Sequence, residues 1–342
     1  MKLVSESSEQ TGERVAVGIL GTGSYLPERV VTNVDLRTLV PDADPEWVSR
    51  KTLIEARRFA APHEATSDLA TNAAKAALER AGIAAADIDY LIVSTSTGDS
   101  PQPPTSNLVQ QSIGADKAAC FDVNAVCAGF VFALNIANGL VAANPGALVL
   151  VIASDIYSRI LDFGDRRTSV LFGDGAGAAV VGSVADGHGI IDIDLSSKGE
   201  ANDLIYVKGG GSRMPPTAET VAAGDHYFRM NGRGVRDFVA GAVPPALDEL
   251  LRRNELKADD VEHFVPHQAN GIMLQELVEA AGFQNAHTHL TLPWYGNVGS
   301  ASIPVTLDDA ARNGSLRDGQ LVLLAGFGGG MSMGSCLLRW GR

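Results

Sequence analysis

A cysteine carries the first chemical signal in this chain. In "DVNAVCAGFVFAL", residues 122–134, Cys127 sits between a short apolar run that reads as a strand and a long one that reads as a helix. That places its sulfur at a helix N-terminus, where free N–H groups and partial positive charge favour a thiolate. Ala128 and Gly129 leave room for a substrate beside it. Position alone fits a small buried hydrophobe equally well. Cys120 and Cys336 fall inside strand-like runs and read as structural.

Two other residues have matching chemistry. His267, in "VPHQAN", follows a strand and a proline. Asn297, in "YGNVGSAS", occupies a small-residue turn before a helix, where its amide N–H can serve an oxygen that gains negative charge. Turn chemistry alone also accounts for an Asn there. His287 and His289 form an H-x-H pair without a third ligand at obvious spacing, so they read as a surface loop, and no metal site is expected. His63, His188, His226 and His263 sit in polar or turn contexts.

An internal repeat explains why Cys127, His267 and Asn297 should meet. "IDYLIVSTST" in the first half has its counterpart in "VEHFVPHQAN" in the second. "VCAGFVFALNIANGLVAANPG" corresponds to "YGNVGSASIPVTLDDAARNG", and each is followed by an apolar strand. A repeat of this length predicts a duplicated α/β unit, with halves at residues 15–185 and 186–342. Equivalent loops of the halves then converge on a pseudo-twofold axis. Strands alternate with helices, so mostly parallel sheets are expected. Thr66 or Ser67 is positioned to cap a helix that ends at Gly82. Residues 190–235 read as a surface excursion. "GTGSYLP" lacks a third glycine and "FGDGAGAAVVG" lacks the Walker lysine, so both read as tight core turns.

Composition narrows the function classes. The formal net charge of −13 disfavours nonspecific binding to nucleic acid or anionic membrane. Three cysteines do not make a disulfide framework, and the polar N-terminus is unlike a signal peptide. No apolar run is read as reaching the roughly 18–20 residues of a membrane span. A cytoplasmic protein is the expectation.

Taken together, "DVNAVCAGF", "FGDGAGAAV", "VPHQAN", "YGNVGSASIP" and "FGGGMSMG" resemble, in order, the 3-oxoacyl-acyl-carrier-protein synthase III family, initiating condensing enzymes of fatty-acid and some polyketide pathways. "GTGSYLPE" and "PEWVSRKT" resemble its N-terminal region. The resemblance implies a thiolase fold, two duplicated halves in a five-layered α-β-α-β-α arrangement, and a homodimer. It implies that Cys127 is the acylated nucleophile. His267 and Asn297 would hold the thioester oxygen of the second substrate, and Phe327 would lie beside the leaving carboxylate. Gly329 would supply an oxyanion N–H with that of Cys127. Trp47 and Arg166 would hold the adenine end of coenzyme A, Lys51 would contact its phosphates, and Asn270 would line the pantetheine tunnel. Coenzyme A thioesters are then substrates, with no permanently bound cofactor.

Departures from the family bear on substrates. Lys51 replaces an arginine and Leu53 a glycine; Tyr295, Val298 and Gly299 change the surroundings of Asn297. Asp237, Ile272, Glu279 and Ala280 stand where a basic patch usually receives an acidic carrier protein, although Arg229, Arg233 and Arg236 lie nearby in sequence. At least one substrate is therefore expected to be a coenzyme A thioester or a free acceptor. Gln102 stands where an aromatic residue often enters the partner subunit's acyl pocket, which favours a larger, aromatic or oxygenated acyl group. Decarboxylative condensation with a malonyl thioester is the leading reading. Acyl transfer from Cys127 to a hydroxyl, amine or carrier thiol is the alternative. A non-catalytic partner subunit fits poorly, because such subunits usually lose the nucleophile.

Overall fold

Runs of two to ten residues, most of them apolar, supply ten strands that pair into two five-stranded sheets. The computed structural model describes residues 15–342. In the first half the strands are β1 (Val17–Tyr25), β2 (Tyr90–Ser94), β3 (Ala119–Val123), β4 (Val149–Ile156) and β5 (Asp174–Ser183). In the second they are β6 (Gly189–Ser197), β7 (His263–Pro266), β8 (His287–Thr288), β9 (Leu321–Gly328) and β10 (Ser332–Arg339). The strand orders are β1-β5-β4-β2-β3 and β6-β10-β9-β7-β8. From that edge, both sheets run antiparallel, antiparallel, parallel, parallel.

Half of the pairings are thus antiparallel, not the mostly parallel sheets expected from strand–helix alternation. The absence of a long crossover helix is the cause. A parallel return needs a crossover of about a dozen residues or more, usually a helix. The link from β9 to β10 is a three-residue turn, Gly329–Met331, and that from β4 to β5 carries only a three-residue turn and a four-residue helix.

Helices complete the layers. α1 (Thr66–Ala81) and α2 (Thr105–Ile113) cover the outer face of the first sheet. α3 (Gly129–Ala143) and α6 (Ser302–Arg312) lie between the sheets, in one apolar core with side chains from both. α4 (Gly232–Arg253) and α5 (Gly271–Ala280) cover the outer face of the second sheet. This is the five-layered α-β-α-β-α arrangement of a thiolase fold.

Several local expectations change. The segment Val126–Ala143 does have the length and apolarity of a membrane span, but it contains the core helix α3, packed between two sheets. "GTGSYLP" and "FGDGAGAAVVG" are largely strand, β1 and β5, rather than turns. Their glycines admit a helix at close range: a Cβ on Gly23 would lie 2.2 Å from the Ala77 nitrogen in α1. Residues 189–197 form the edge strand β6, so the excursion is shorter than expected. Its remainder carries a ribbon, Ile205–Val207 paired with Phe228–Met230. The α1 N-cap is Ala65, whose N–H donates to Asp68 at 2.8 Å, while Ser67 is tied to Asp99 instead.

Gly23→Ala should lower the unfolding free energy by about 1–3 kcal/mol, because the helix backbone cannot yield without leaving the sheet. The check is a lower denaturant midpoint at unchanged slope.

Candidate active site

Duplicated topology brings the turns that precede α3 and α6 together. Cys127 lies in the turn Val126–Ala128, just before α3, and is 6% exposed. Val126 holds φ +47°, a left-handed conformation that costs a β-branched residue energy. Packing from the β9–β10 turn maintains it. A Cβ on Gly329 would touch the Val126 side chain at 3.1 Å, and one on Gly328 would lie 3.0 Å from the Cys127 sulfur.

Asn297 precedes α6 and is pinned from both sides. Its N–H donates to the Leu171 carbonyl, and its own carbonyl accepts from Gly173. Its side-chain Oδ1 accepts from the Gly299 N–H at 2.9 Å, which leaves the amide N–H₂ free to donate into the cavity. Gly299 holds φ +60°, and a Cβ there would lie 2.4 Å from Tyr157 Cε2 and 2.5 Å from Asp155 Oδ2. The altered surroundings of Asn297 therefore fit a neighbouring tyrosine.

His267 directly follows β7, with its N–H on the Ala325 carbonyl at 2.7 Å. Phe327 meets its ring edge-on, centroids 5.4 Å apart. Gln268 fixes the loop: its Nε2 donates to Pro266 and His289 carbonyls, and its Oε1 accepts from Thr291 and Leu292. Burial drives the His267 imidazole down to about 3, so it is neutral and can donate a single N–H. Its Nδ1 has no partner within the protein.

Cys127, His267, Asn297 and Phe327 line one cavity of about 590 Å³. Trp47, Lys51 and Asn270 also line it. Arg166 is not in the wall, but its guanidinium stacks over the Trp47 ring at 5.3 Å. Arg50, Arg167 and Arg236 add cations to the lining. Asn270 caps α5 by accepting from Ile272 and Met273, and donates to the Lys51 carbonyl at 3.2 Å. Leu53 takes φ +59° at a helix C-cap, where glycine is favoured, and its side chain lies against Gly271.

Electrostatics at the sulfur oppose the expectation from the helix end. Burial, with the negative charge of Asp155, pushes the Cys127 thiol up to about 12. The Tyr157 hydroxyl acts in the other direction. Tyr157 is 1% exposed, stacked on Phe172 at 4.6 Å and edge-on to Phe228 at 5.6 Å. Asp155 is fully buried and accepts from Ser96, Thr97 and Ser300. Nothing in the sequence pointed to Tyr157 or Gln268. Asp155 left a trace, an acid closing the apolar run "VLVIASD".

Other residues fall elsewhere. Gln102 is exposed and outside the cavity wall of its own subunit. His289 and His263 are buried, not on a surface loop: their ring nitrogens lie 3.0 Å apart, and His263 also bonds Gln320. His287 is exposed. No metal-binding group of His, Cys, Asp or Glu occurs among the described residues. Two of the three arginines near the docking positions are occupied: Arg236 pairs with Glu276, and Arg229 with Asp162 at 2.7 Å. Cys336 is buried and Cys120 half-buried, as suits packing roles.

Residues 121–199 match the 3-oxoacyl-[acyl-carrier-protein] synthase III family, and residues 251–340 match its C-terminal region. The acetoacetyl CoA synthase NphT7 of Streptomyces sp. (strain CL190) is 49% identical over 324 residues, 94% of this chain and 98% of that protein. A beta-ketoacyl-[acyl-carrier-protein] synthase III of Caldanaerobacter subterraneus subsp. tengcongensis is 42% identical, covering 96% of this chain and 99% of its own. Among solved structures, the priming beta-ketosynthase of the R1128 polyketide pathway superposes with a TM-score of 0.89 at 35% identity, covering 96% of this chain and 97% of that one.

Gly299→Ala should displace the Asn297 loop from Tyr157 and Asp155. A shift of about 1 Å costs on the order of 10²-fold in rate, so turnover should fall by that factor while the protein stays folded; steady-state rates and circular dichroism check both.

Proposed function

Because the chain belongs to the 3-oxoacyl-[acyl-carrier-protein] synthase III family, we propose that it loads an acyl group from coenzyme A onto Cys127 and condenses it with a malonyl thioester, releasing CO₂. One observation carries the reading. A buried neutral imidazole and an Asn amide with a committed orientation share an apolar cavity with the thiol.

In this reading Cys127 attacks the acyl thioester and displaces coenzyme A. The malonyl thioester then enters, its carbonyl oxygen facing His267 and Asn297. Loss of CO₂ leaves an enolate that these two N–H donors stabilise. Because His267 stays neutral, the malonyl carboxylate gains no ion pair that would hold it in its charged form. Phe327, apolar and edge-on to His267, disfavours that carboxylate further. The carbanion attacks the acyl-Cys127 carbonyl, with backbone N–H groups of Cys127 and Gly329 as oxyanion donors, and Cys127 leaves. Trp47, Arg166 and Lys51 sit at the mouth for the nucleotide end of coenzyme A, and Asn270 borders the pantetheine path. Simple acyl transfer has no use for the enolate donors, which favours condensation.

We assign the extender as malonyl-coenzyme A rather than a malonyl carrier protein. Asp237 and Glu279 are exposed where a carrier would dock, and Arg236 and Arg229 are neutralised by acids. The NphT7 relative's name points to the same chemistry. We assign a short acyl group, because the bulky Tyr157 ring, backed by Phe172 and Phe228, packs against Gly299 in the turn that meets the Cys127 turn. That replaces the larger group expected from Gln102. A homodimer, in which Gln102 would approach the partner's acyl pocket, and halves divided at residues 15–185 and 186–342 belong to the same proposal.

Turnover with malonyl-coenzyme A should exceed that with malonyl carrier protein at least tenfold, about 1.4 kcal/mol of selectivity; equal turnover contradicts the extender assignment. His267→Ala or Asn297→Ala should cut CO₂ release about 10²–10³-fold and leave Cys127 acylation, read by intact mass, largely in place. Since His267 titrates near 3, release by the acylated enzyme should not fall between about pH 8 and pH 6. A loss with an apparent pKa near the ordinary imidazole value would show that His267 works as a cation.

A further inference from the structure

Behind the turn that carries Asn297 lies a fully buried cation. Arg57 sits in the short strand Ala56–Phe59, which pairs antiparallel with Arg29–Thr32. Its guanidinium meets carbonyl and amide oxygens rather than a carboxylate. Nη1 donates to Asn33 Oδ1 at 2.7 Å and to the Val31 carbonyl at 3.3 Å. Nη2 donates to the Val170 carbonyl at 2.8 Å, and Nε has no partner within the protein. Burial pushes the group down to about 10, so it stays charged at neutral pH.

Enclosing a charge in this way is costly unless its N–H groups are spent on acceptors. Here the planar fork spans two separate stretches of chain. The Asn33 end is fixed. Its amide donates to the Ile54 carbonyl at 2.7 Å and to Ser49 Oγ at 3.0 Å, and its backbone N–H donates to the Glu55 carbonyl. The Val170 end begins the stretch that holds Asn297. The Leu171 carbonyl, one residue on, accepts from the Asn297 N–H at 2.8 Å, and the Gly173 N–H donates to the Asn297 carbonyl at 2.9 Å. The base of the Arg57 side chain packs against both partners of this bridge. A Cβ on Gly173 would lie 3.1 Å from Arg57 Cβ, and one on Gly296 would lie 3.4 Å from it.

We propose that Arg57 is a positioning residue for Asn297: its guanidinium, braced on Asn33, holds the backbone of residues 170–173 in the place that aims the Asn297 amide into the cavity. The inference rests on Asn297 serving the enolate in the proposed condensation. Arg57 is outside the cavity wall, whereas Val170, Leu171, Phe172 and Asn297 line it. It therefore acts on the reaction through backbone that Asn297 also uses. Its bonds reach no residue of the Cys127 turn, so acylation of the thiol is left alone while the step that needs Asn297 depends on it. Lysine is not an equivalent here, because a single ammonium nitrogen lacks the rigid fork that serves Asn33 and Val170 at once.

The experiment is a double-mutant cycle of Arg57→Lys and Asn297→Ala, read in two half-reactions at saturating substrate. One is acylation of Cys127 by acetyl-coenzyme A, followed by intact mass. The other is CO₂ release from malonyl-coenzyme A by the acylated enzyme. A donor misplaced by about 1 Å costs up to on the order of 10²-fold, so Arg57→Lys should slow CO₂ release about 10–10²-fold. Acylation should stay within about twofold of wild type, and in the Asn297→Ala background the same change should slow CO₂ release by less than about twofold, because residues that act as one unit are not additive. Equal losses in both half-reactions, or the same loss with and without Asn297, overturn the proposal and leave Arg57 a general support of the fold. Wild-type CO₂ release by folded Arg57→Lys overturns it too. Should circular dichroism show Arg57→Lys to be unfolded, Asn33→Ala, which withdraws the brace and leaves the guanidinium, goes through the same cycle with the same expectations. Failure of the acylated wild type to release CO₂ would instead remove the enolate on which the inference rests.

Discussion

The buried carboxylate of Asp155 joins the two halves at the site. It closes β4 in the first half and accepts from both the N–H and the hydroxyl of Ser300, ahead of α6 in the second, at 2.9 and 2.7 Å. Its other oxygen gathers Ser96 and Thr97 from the loop after β2. A buried charge without donors is costly, so this set of bonds is obligatory once the carboxylate is enclosed. Asn297 and Cys127 face each other because these bonds hold the turns before α6 and α3 together. Gly299 follows from the same constraint, since no side chain fits between its backbone, Asp155 and Tyr157.

Burial then decides which protonation states the site uses. It raises the thiol, lowers the imidazole and raises the Asp155 carboxyl above its ordinary range. Desolvation acts toward the neutral form in all three, and at Asp155 the bonds from Ser300, Ser96 and Thr97 oppose it. In the proposed reaction a neutral His267 suits an enolate donor in a largely apolar cavity, where N–H dipoles act at low dielectric. A neutral thiol gives the sulfur more need of assistance from its neighbours than an exposed cysteine would have. The cations of the lining, Arg50, Lys51, Arg167 and Arg236, are all exposed at the surface.

The repeat made much of this arrangement legible in the sequence. Matching strand–loop–helix segments put Cys127 and Asn297 at equivalent turns, and the same logic placed His267 opposite them. Strand directions were harder to read, because they depend on whether a link carries a long crossover helix, and the β4–β5 and β9–β10 links do not. Tyr157 and Gln268 were invisible for a different reason. Each acts across tertiary contacts, Tyr157 against Cys127 and Gly299, Gln268 against Thr291 and Leu292, and neither leaves a local pattern. The His263–His289 pair read as loop residues because burial of a short strand edge cannot be inferred from two histidines in a polar stretch. Gln102 is exposed and outside the cavity wall, so the expectation attached to it has no counterpart within the chain.

The most direct measurement of the central claim is one turnover of enzyme already acylated on Cys127. Mixed with one equivalent of malonyl-coenzyme A, it should release one CO₂ and one 3-oxoacyl-coenzyme A for each acyl group lost from Cys127. Loss of the acyl group to water or another nucleophile, without CO₂, would contradict the account.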